Sequence, residues 1–167
     1  MTQTTVDPVA FRAAMSRFPA GVTIVTTTDA AGVPWGFTAT SFCSLSLDPP
    51  LVLVCLARSA RCFEAFNDAS GYVIHFAESR HQELAMRFAS RSVEDKFAGT
   101  SFAVGPHGHH ELEDAIVALR CTAENVVPGG DHVILIGRVQ AVELRDDGEA
   151  LLHADRTFRR LAPHSDG

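Results

Sequence analysis

The run GFTATSFCSLSLDPPL, Gly36 to Leu51, sets Thr38, Ala39, Thr40, Ser41, Ser44 and Ser46 among Phe37, Phe42, Leu45 and Leu47. A buried strand carries fewer hydroxyls and a solvated loop fewer aromatics, so the mixture suits a wall against which something polar and flat lies. The plainer reading is an edge strand and turn whose hydroxyls cap their own backbone. A second cluster follows the apolar run Leu51 to Leu56, where Ala57-Arg58-Ser59-Ala60-Arg61 sets two cations and a hydroxyl at a strand end. Guanidinium forks, a hydroxyl and the amides of a following helix suit a phosphate group. A charged surface turn is the alternative. A third is Asp131-His132, where a hairpin turn presents an imidazole at the start of a strand.

Hydrolytic and metal chemistry is harder to assemble. The chain has no GxSxG and no CxxC; Cys43, Cys55, Cys62 and Cys121 are irregularly spaced and read as reduced, small apolar residues. His107-Gly108-His109-His110-Glu111 offers imidazoles and a carboxylate but no second ligand pair at defined spacing, so a solvated loop is expected and no metal. The pairs Glu113-Asp114 and Asp146-Asp147 are expected in solvated turns and strand starts.

These residues need a scaffold. Asp7-Pro8 opens a helix with Phe11, Met15 and Phe18 on one face, stopped by Pro19 and Gly21. Val22–Thr28 and Pro34–Thr40 read as a hairpin across Asp29–Gly32. Leu51–Leu56 reads as a strand buried on both faces, with a short helix from Arg61 carrying Cys62, Phe63 and Phe66. Gly71–Ala77 is a strand. His81–Ser90 is a helix with Leu84 and Phe88 inward and Glu83 placed to pair with Arg87. Residues 99–113 read as a loop, Leu119–Glu124 as a half-exposed strand, Val133–Glu143 as the longest strand, and the tail after Gly148 as helical at most. About six strands in hairpins, with three short helices inserted, predict a mainly β antiparallel barrel rather than a βαβ sheet. No strand is followed by GxGxxG or GxxxxGK[ST], so a nucleotide site here is of another kind.

Composition bounds the rest. The 167 residues are 46% hydrophobic and 20% charged, with net charge −6 and no basic run. A single folded domain over 1–167, with an ordered core from about 8 to 162, is expected, with no footprint for nucleic acid or an anionic membrane. The first ten residues lack a signal-peptide pattern, and the longest apolar run is far short of the ~20 residues a bilayer span needs, so a cytoplasmic protein is expected.

Taken together, FRAAMSRFPAGVTIVTT, GFTATSFCSLSLDPPLVLVCLARSARCFEAF and GDHVILIGRV resemble the short-chain flavin reductases, small components that supply reduced flavin to two-component monooxygenases. The resemblance covers nearly the whole chain, and its middle motif is long and specific. It implies an antiparallel Greek-key split β-barrel with short flanking helices. It further implies a homodimer and reduction of FMN or FAD by NADH or NADPH, with a monooxygenase partner reached through diffusing flavin. It puts Thr38, Ala39, Thr40 and Ser41 beside the isoalloxazine, and Cys55, Leu56, Ala57, Arg58, Ser59 and Arg61 along the flavin toward its ribityl and phosphate. Lys96-Phe97 matches the family's Lys-Phe step on the flavin, and His132 matches the residue facing the nicotinamide, with Phe158 and Arg159 as further nicotinamide neighbours. Two departures stand out: His75 replaces an Asn usual in relatives, and LLHADRTFRRL lacks the usual Pro-Leu and second aromatic. Hydride transfer is the cofactors' own chemistry, so no acid–base dyad is required; the protein's task is to hold two rings at near-attack spacing of about 3 to 3.5 Å. The competing expectations are a non-catalytic flavin- or haem-binding module and a ligand-free structural barrel.

Overall fold

The computed structural model describes residues 6–162. Its helices are α1 (Pro8–Ser16), α2 (Phe63–Asn67) and α3 (Gln82–Ala89). Its strands are β1 (Ala20–Gly21), β2 (Thr23–Thr28), β3 (Pro34–Ala39), β4 (Cys43–Ser46), β5 (Leu51–Ala57), β6 (Gly71–Phe76), β7 (Phe102–Val104), β8 (His110–Leu112), β9 (Val117–Gly129), β10 (His132–Leu144), β11 (Leu152–Ala154) and β12 (Thr157–Arg159). The mainly β class and the principal hairpins match expectation.

Seven strands form one antiparallel sheet in the order β3-β2-β6-β9-β10-β5-β4. Its spine is the β9–β10 ribbon, thirteen residues a side, turned by Gly130 at φ 69°. β6 pairs with one end of the ribbon, over Val117–Thr122, and β5 with the other, over His132–Arg138. This offset curls the sheet. β3 and β4 lie at opposite edges, six strand spacings of about 4.8 Å apart if flat. Yet only Thr40 to Phe42 separate them, a span of about 14 Å at most between Ala39 and Cys43, so the edges must approach. The main core fills the resulting trough: Val25, Phe37, Val54, Leu56, Phe66, Tyr72, Ile74 and Leu135 are all buried.

Local causes are legible. Asp7 caps α1 by accepting from the amides of Val9 and Ala10. In the β2–β3 turn, Asp29 accepts from Ala31 and Val33 amides, and Gly32 takes φ 80°. The three buried threonines of β2 are satisfied: Thr23, Thr26 and Thr27 donate to the carbonyls of Ala39, His110 and Gly71.

Several expectations are corrected. β5 is buried on one face only; Val52, Val54 and Leu56 point inward while Leu51, Leu53 and Cys55 are half-exposed. Residues 99–113 contain the β7–β8 hairpin, docked on β2 because Thr26 and Thr28 hold the carbonyls of His110 and Gly108. The carboxylate of Glu111 there is buried against the Arg120 guanidinium at 2.7 Å, not solvated. Asp114 likewise joins a network with Arg80 and His81. The tail is a hairpin, β11–β12, added to β1. Glu83 does not pair with Arg87, which donates to the Asp95 carbonyl. Finally, α1 buries none of its residues; Phe11, Met15 and Phe18 are each more than half exposed. Among the described residues no helix is long and apolar enough to cross a membrane.

Candidate functional site

The edge strand β3, the end of β5, α3 with the segment after it, and the start of β10 enclose a cavity of about 700 Å³. Thr38 and Ala39 of β3 line it with Thr40 and Ser41 just after, Cys55, Leu56 and Ala57 of β5 with Arg61 beyond, and Lys96, Phe97 and His132 from two further segments. Four stretches far apart in sequence are thereby brought to one space.

Two hydroxyls of the wall are engaged, though not by their own backbone as the plainer reading had it. Thr38 Oγ1 donates to the Ala85 carbonyl of α3 at 2.6 Å. Ser41 Oγ accepts from the Cys55 amide at 2.9 Å and so ties the β3 end of the sheet to β5. Thr40 is exposed. The wall thus offers one unengaged hydroxyl, backbone groups and the methyl of Ala39, a surface suited to a flat heterocycle rather than to a nucleophile.

Lys96 reaches inward. Its Nζ donates to the Phe88 carbonyl at 2.6 Å and the Gly36 carbonyl at 3.4 Å, and burial pulls its pKa below the usual lysine value. It clamps the C-terminal turn of α3 to β3. Phe97 packs edge-on against Phe88, ring centres 5.0 Å apart, and so belongs to the core as much as to the cavity. The Cys62 thiol beside them is buried, which raises its pKa.

The cavity lining is also cationic at Arg61 and Arg91. Arg61 donates to the Arg91 carbonyl at 3.3 Å, and Arg91 donates to Ser59 Oγ at 2.7 Å. Neither guanidinium has a carboxylate partner among the described residues, which is the electrostatic signature of a place for an anion. Helix amides do not add to it: α2 is five residues long, and the amides of Ala60 and Phe63 donate to the carbonyls of Ala57 and Ala60 in successive turns. Arg58 and Ser59 do not line the cavity; Arg58 has its amide bonded to the Asp131 carbonyl and its guanidinium 6.0 Å from the Phe63 ring centre.

His132 opens β10 opposite Ala57. Its Nδ1 lies 2.7 Å from Asp131 Oδ1, and that hydrogen bond holds the Asp131 carboxyl below the usual carboxylate range. With Nδ1 engaged, Nε2 is the nitrogen available to a ligand.

Phe158 and Arg159 are not brought to this cavity: they lie on β12, and Phe158 packs on the separate cluster of Val22, Ala77, Ala85 and Leu151. His75 is also elsewhere, fully buried, with Nδ1 2.9 Å from the Ile24 carbonyl. Sequence reasoning missed Trp35 and the loop Ser90–Asp95, both of which line the cavity. Arg91 follows directly on the helix end, but only the fold shows that its loop turns back toward Ser59. Among the described residues no group of three His, Cys, Asp or Glu side chains is arranged to hold a metal ion.

A heterocycle wall, a cationic lining and an imidazole in one cavity on a curled antiparallel sheet define a flavin-binding class of protein. The chain matches the flavin reductase like domain over residues 15–162 and belongs to that family. It is 44% identical over 155 residues to the actinorhodin polyketide dimerase of Streptomyces coelicolor, covering 93% of this chain and 87% of the relative. A probable flavin reductase of Rhizobium meliloti is 45% identical over 143 residues, 86% of this chain; the chain spans only 46% of that longer protein. The reductase subunit of a flavin-dependent monooxygenase of Rhodococcus jostii is 38% identical over 149 residues, with 89% and 75% of the two chains covered. Among solved structures, an NADH:FAD oxidoreductase of Streptomyces globisporus in complex with NAD and FAD fragments superposes with a TM-score of 0.90 at 33% identity, covering 98% of this chain and 100% of that one.

Proposed function

We propose that this protein is an NAD(P)H-dependent flavin reductase that supplies reduced FMN or FAD to a separate monooxygenase. The observation that carries the reading is the single cavity shared by Thr38–Ser41, the β5 end, Lys96-Phe97 and His132. The relative from Rhodococcus jostii, named as a monooxygenase reductase subunit, supports the partner. The one from Streptomyces globisporus, named for NADH and FAD, supports the pair of nucleotides.

Bound flavin and reduced nicotinamide supply the hydride chemistry. The chain's residues bind and orient. The Thr40 hydroxyl and the backbone from Ala39 to Ser41 form the polar wall for the ring, where fixed donors favour negative charge. Arg61 and Arg91 take the phosphate, with Ser59 bonded to Arg91 and Arg58 next to it in the chain. His132 presents Nε2 to the nicotinamide amide, its ring held by Asp131. Lys96 and Phe97 fix the α3 side of the cavity, and Leu56 and Cys55 give its floor. Phe158 and Arg159 have no part within one chain.

The curled sheet is read as a Greek-key split barrel whose open seam is the site. The protein is read as a homodimer, in which a second copy covers the bare apolar face of α1 and the exposed Leu45 and Leu47. Unpaired thiols at all four cysteines fit the cytoplasm. Light scattering that gives a monomer at micromolar concentration would remove the dimer.

The deciding experiment mixes purified protein with NADH or NADPH and catalytic FMN or FAD and follows loss of reduced nicotinamide. Acceleration over free flavin is expected. None with any pairing sinks the reductase reading, and yellow colour retained on gel filtration would then favour the non-catalytic flavin-binding module.

A further inference from the structure

One stretch of the cavity lining has no part in the arrangement above: Val33, Pro34 and Trp35, where β3 leaves the hairpin turn. Ser41 lies six positions beyond Trp35, up to roughly 20 Å of extended chain at about 3.3 Å per residue. The same wall thus extends well past the hydroxyl segment, and Arg61 and Arg91 line the same cavity.

Trp35, the chain's single tryptophan, is fixed in orientation. Its Nε1 donates to Asp29 Oδ2 at 2.8 Å. Asp29 Oδ1 in turn accepts from the Ala31 and Val33 amides at 2.9 Å each, so carboxylate and indole are locked to the turn. The same indole bond is the main cause holding the Asp29 carboxyl below its usual range. The ring is half-buried against the main core, and it also lines the cavity. An aromatic plane anchored at its polar edge and facing a cavity is a stacking platform for a nucleobase, sequence-tolerant and rigid before binding. Val93 and Glu94 also line the cavity. The first adds apolar contact, and the second is an acceptor suited to an exocyclic amine. A cavity of about 700 Å³ has room for two ring systems, well inside the range of about 300 to 1,000 Å³ that encloses drug-sized ligands.

We propose that the site prefers FAD to FMN, with the adenine stacked on Trp35 and the pyrophosphate held at Arg61 and Arg91. The proposal rests on the flavin-reductase reading and adds the dinucleotide to it. Glu94 accepts from the adenine amine, and Asp29 acts only by holding the indole.

Titration of the purified protein with FAD and FMN gives the first measurement, and FAD is expected to bind at least tenfold more tightly. ADP carries no flavin, so quenching of the lone tryptophan's emission by ADP, and not by inorganic phosphate, is the second expected result. Trp35→Ala should weaken FAD by about 5- to 140-fold, the range for loss of one base–aromatic stack, with the loss falling on FAD rather than FMN. Trp35→Phe should recover most of it. Equal affinity for FAD and FMN in the unaltered protein overturns the proposal even if Trp35→Ala fails to fold. So does an equal loss for both flavins in that variant. A protein that binds neither flavin overturns the flavin reading as well, whereas one that reduces both flavins without preference overturns only the dinucleotide.

Discussion

His132 and Ala57 are directly paired across β10 and β5, and the amide of Arg58 next to Ala57 is bonded to the carbonyl of Asp131 next to His132. The imidazole assigned to the nicotinamide is thus set in register with the segment assigned to the flavin by a sheet ladder rather than by a loop. Rigid placement of two ligands is the part of catalysis that a protein without an acid–base dyad must supply.

For His132→Ala the expected outcome is a KM for reduced nicotinamide raised roughly tenfold, as for loss of one hydrogen bond of about 1.4 kcal/mol, with flavin affinity changed less than twofold. Steady-state kinetics beside a flavin titration checks it. A larger loss of flavin affinity than of nicotinamide affinity removes His132 from this role.

The cationic lining predicts discrimination by phosphate. Arg61→Ala and Arg91→Ala should each weaken FMN by roughly tenfold while leaving riboflavin, which has no phosphate, nearly unaffected, because a charge-assisted bond at an exposed site is worth on the order of 1 to 2 kcal/mol. The FMN-to-riboflavin preference should also shrink with added salt. A preference indifferent to both substitutions places the phosphate elsewhere.

Lys96 predicts a stability effect. Lys96→Met leaves the Phe88 carbonyl without its donor and should cost roughly 1 to 3 kcal/mol, lowering the thermal midpoint by about 3 to 10 °C in a chain of this size. Lys96→Arg should keep most of it. A Met variant as stable as the parent but defective in flavin binding would make Lys96 a direct flavin contact instead of a clamp.

His75 predicts a pH dependence. Burial lowers its pKa from 6.5 to about 4, and Nε2 has no partner. The folded state therefore prefers the neutral ring, with Nδ1 donating to the Ile24 carbonyl. The unfolded chain takes up a proton as pH falls below 6.5, the folded chain only near 4, so stability is full above 6.5 and declines through that window. The loss is on the order of 3 kcal/mol, about 1.4 per pH unit. Urea unfolding of the parent and of His75→Asn between pH 7 and 4 should give curves whose difference slopes in that direction. Parallel curves would refute it.

The sequence was most readable where chemistry and local conformation coincide. The Asp7-Pro8 cap, the β2–β3 hairpin and the β5 end are all written in short runs of residues. The stretch does run into an edge strand, Cys43–Ser46, but Thr38 and Ser41 do not cap their own backbone: they bond to Ala85 and Cys55 on other elements, and both line the cavity. What was hidden depends on long-range packing. Nothing near His107–Glu111 says that Arg120 waits to neutralise Glu111. The short strands of the tail gain their partner from Ala20-Gly21, far away in the chain. Arg91 and Trp35 are ordinary surface and core residues until the sheet curls and sets them on one cavity.

The curl has a kinetic meaning. Nearly every wall of the cavity comes from segments distant in sequence, and the chain leaving β3 is tied to β5 by the Ser41–Cys55 bond. A chain whose native pairings are this non-local folds slowly compared with one built from neighbouring contacts, and its pocket cannot precede its topology. On the proposed reading, competence to hold a flavin arrives with the finished topology, and a flavin held between β3 and the end of β5 rivets the two walls together, making the cofactor a guard of the fold.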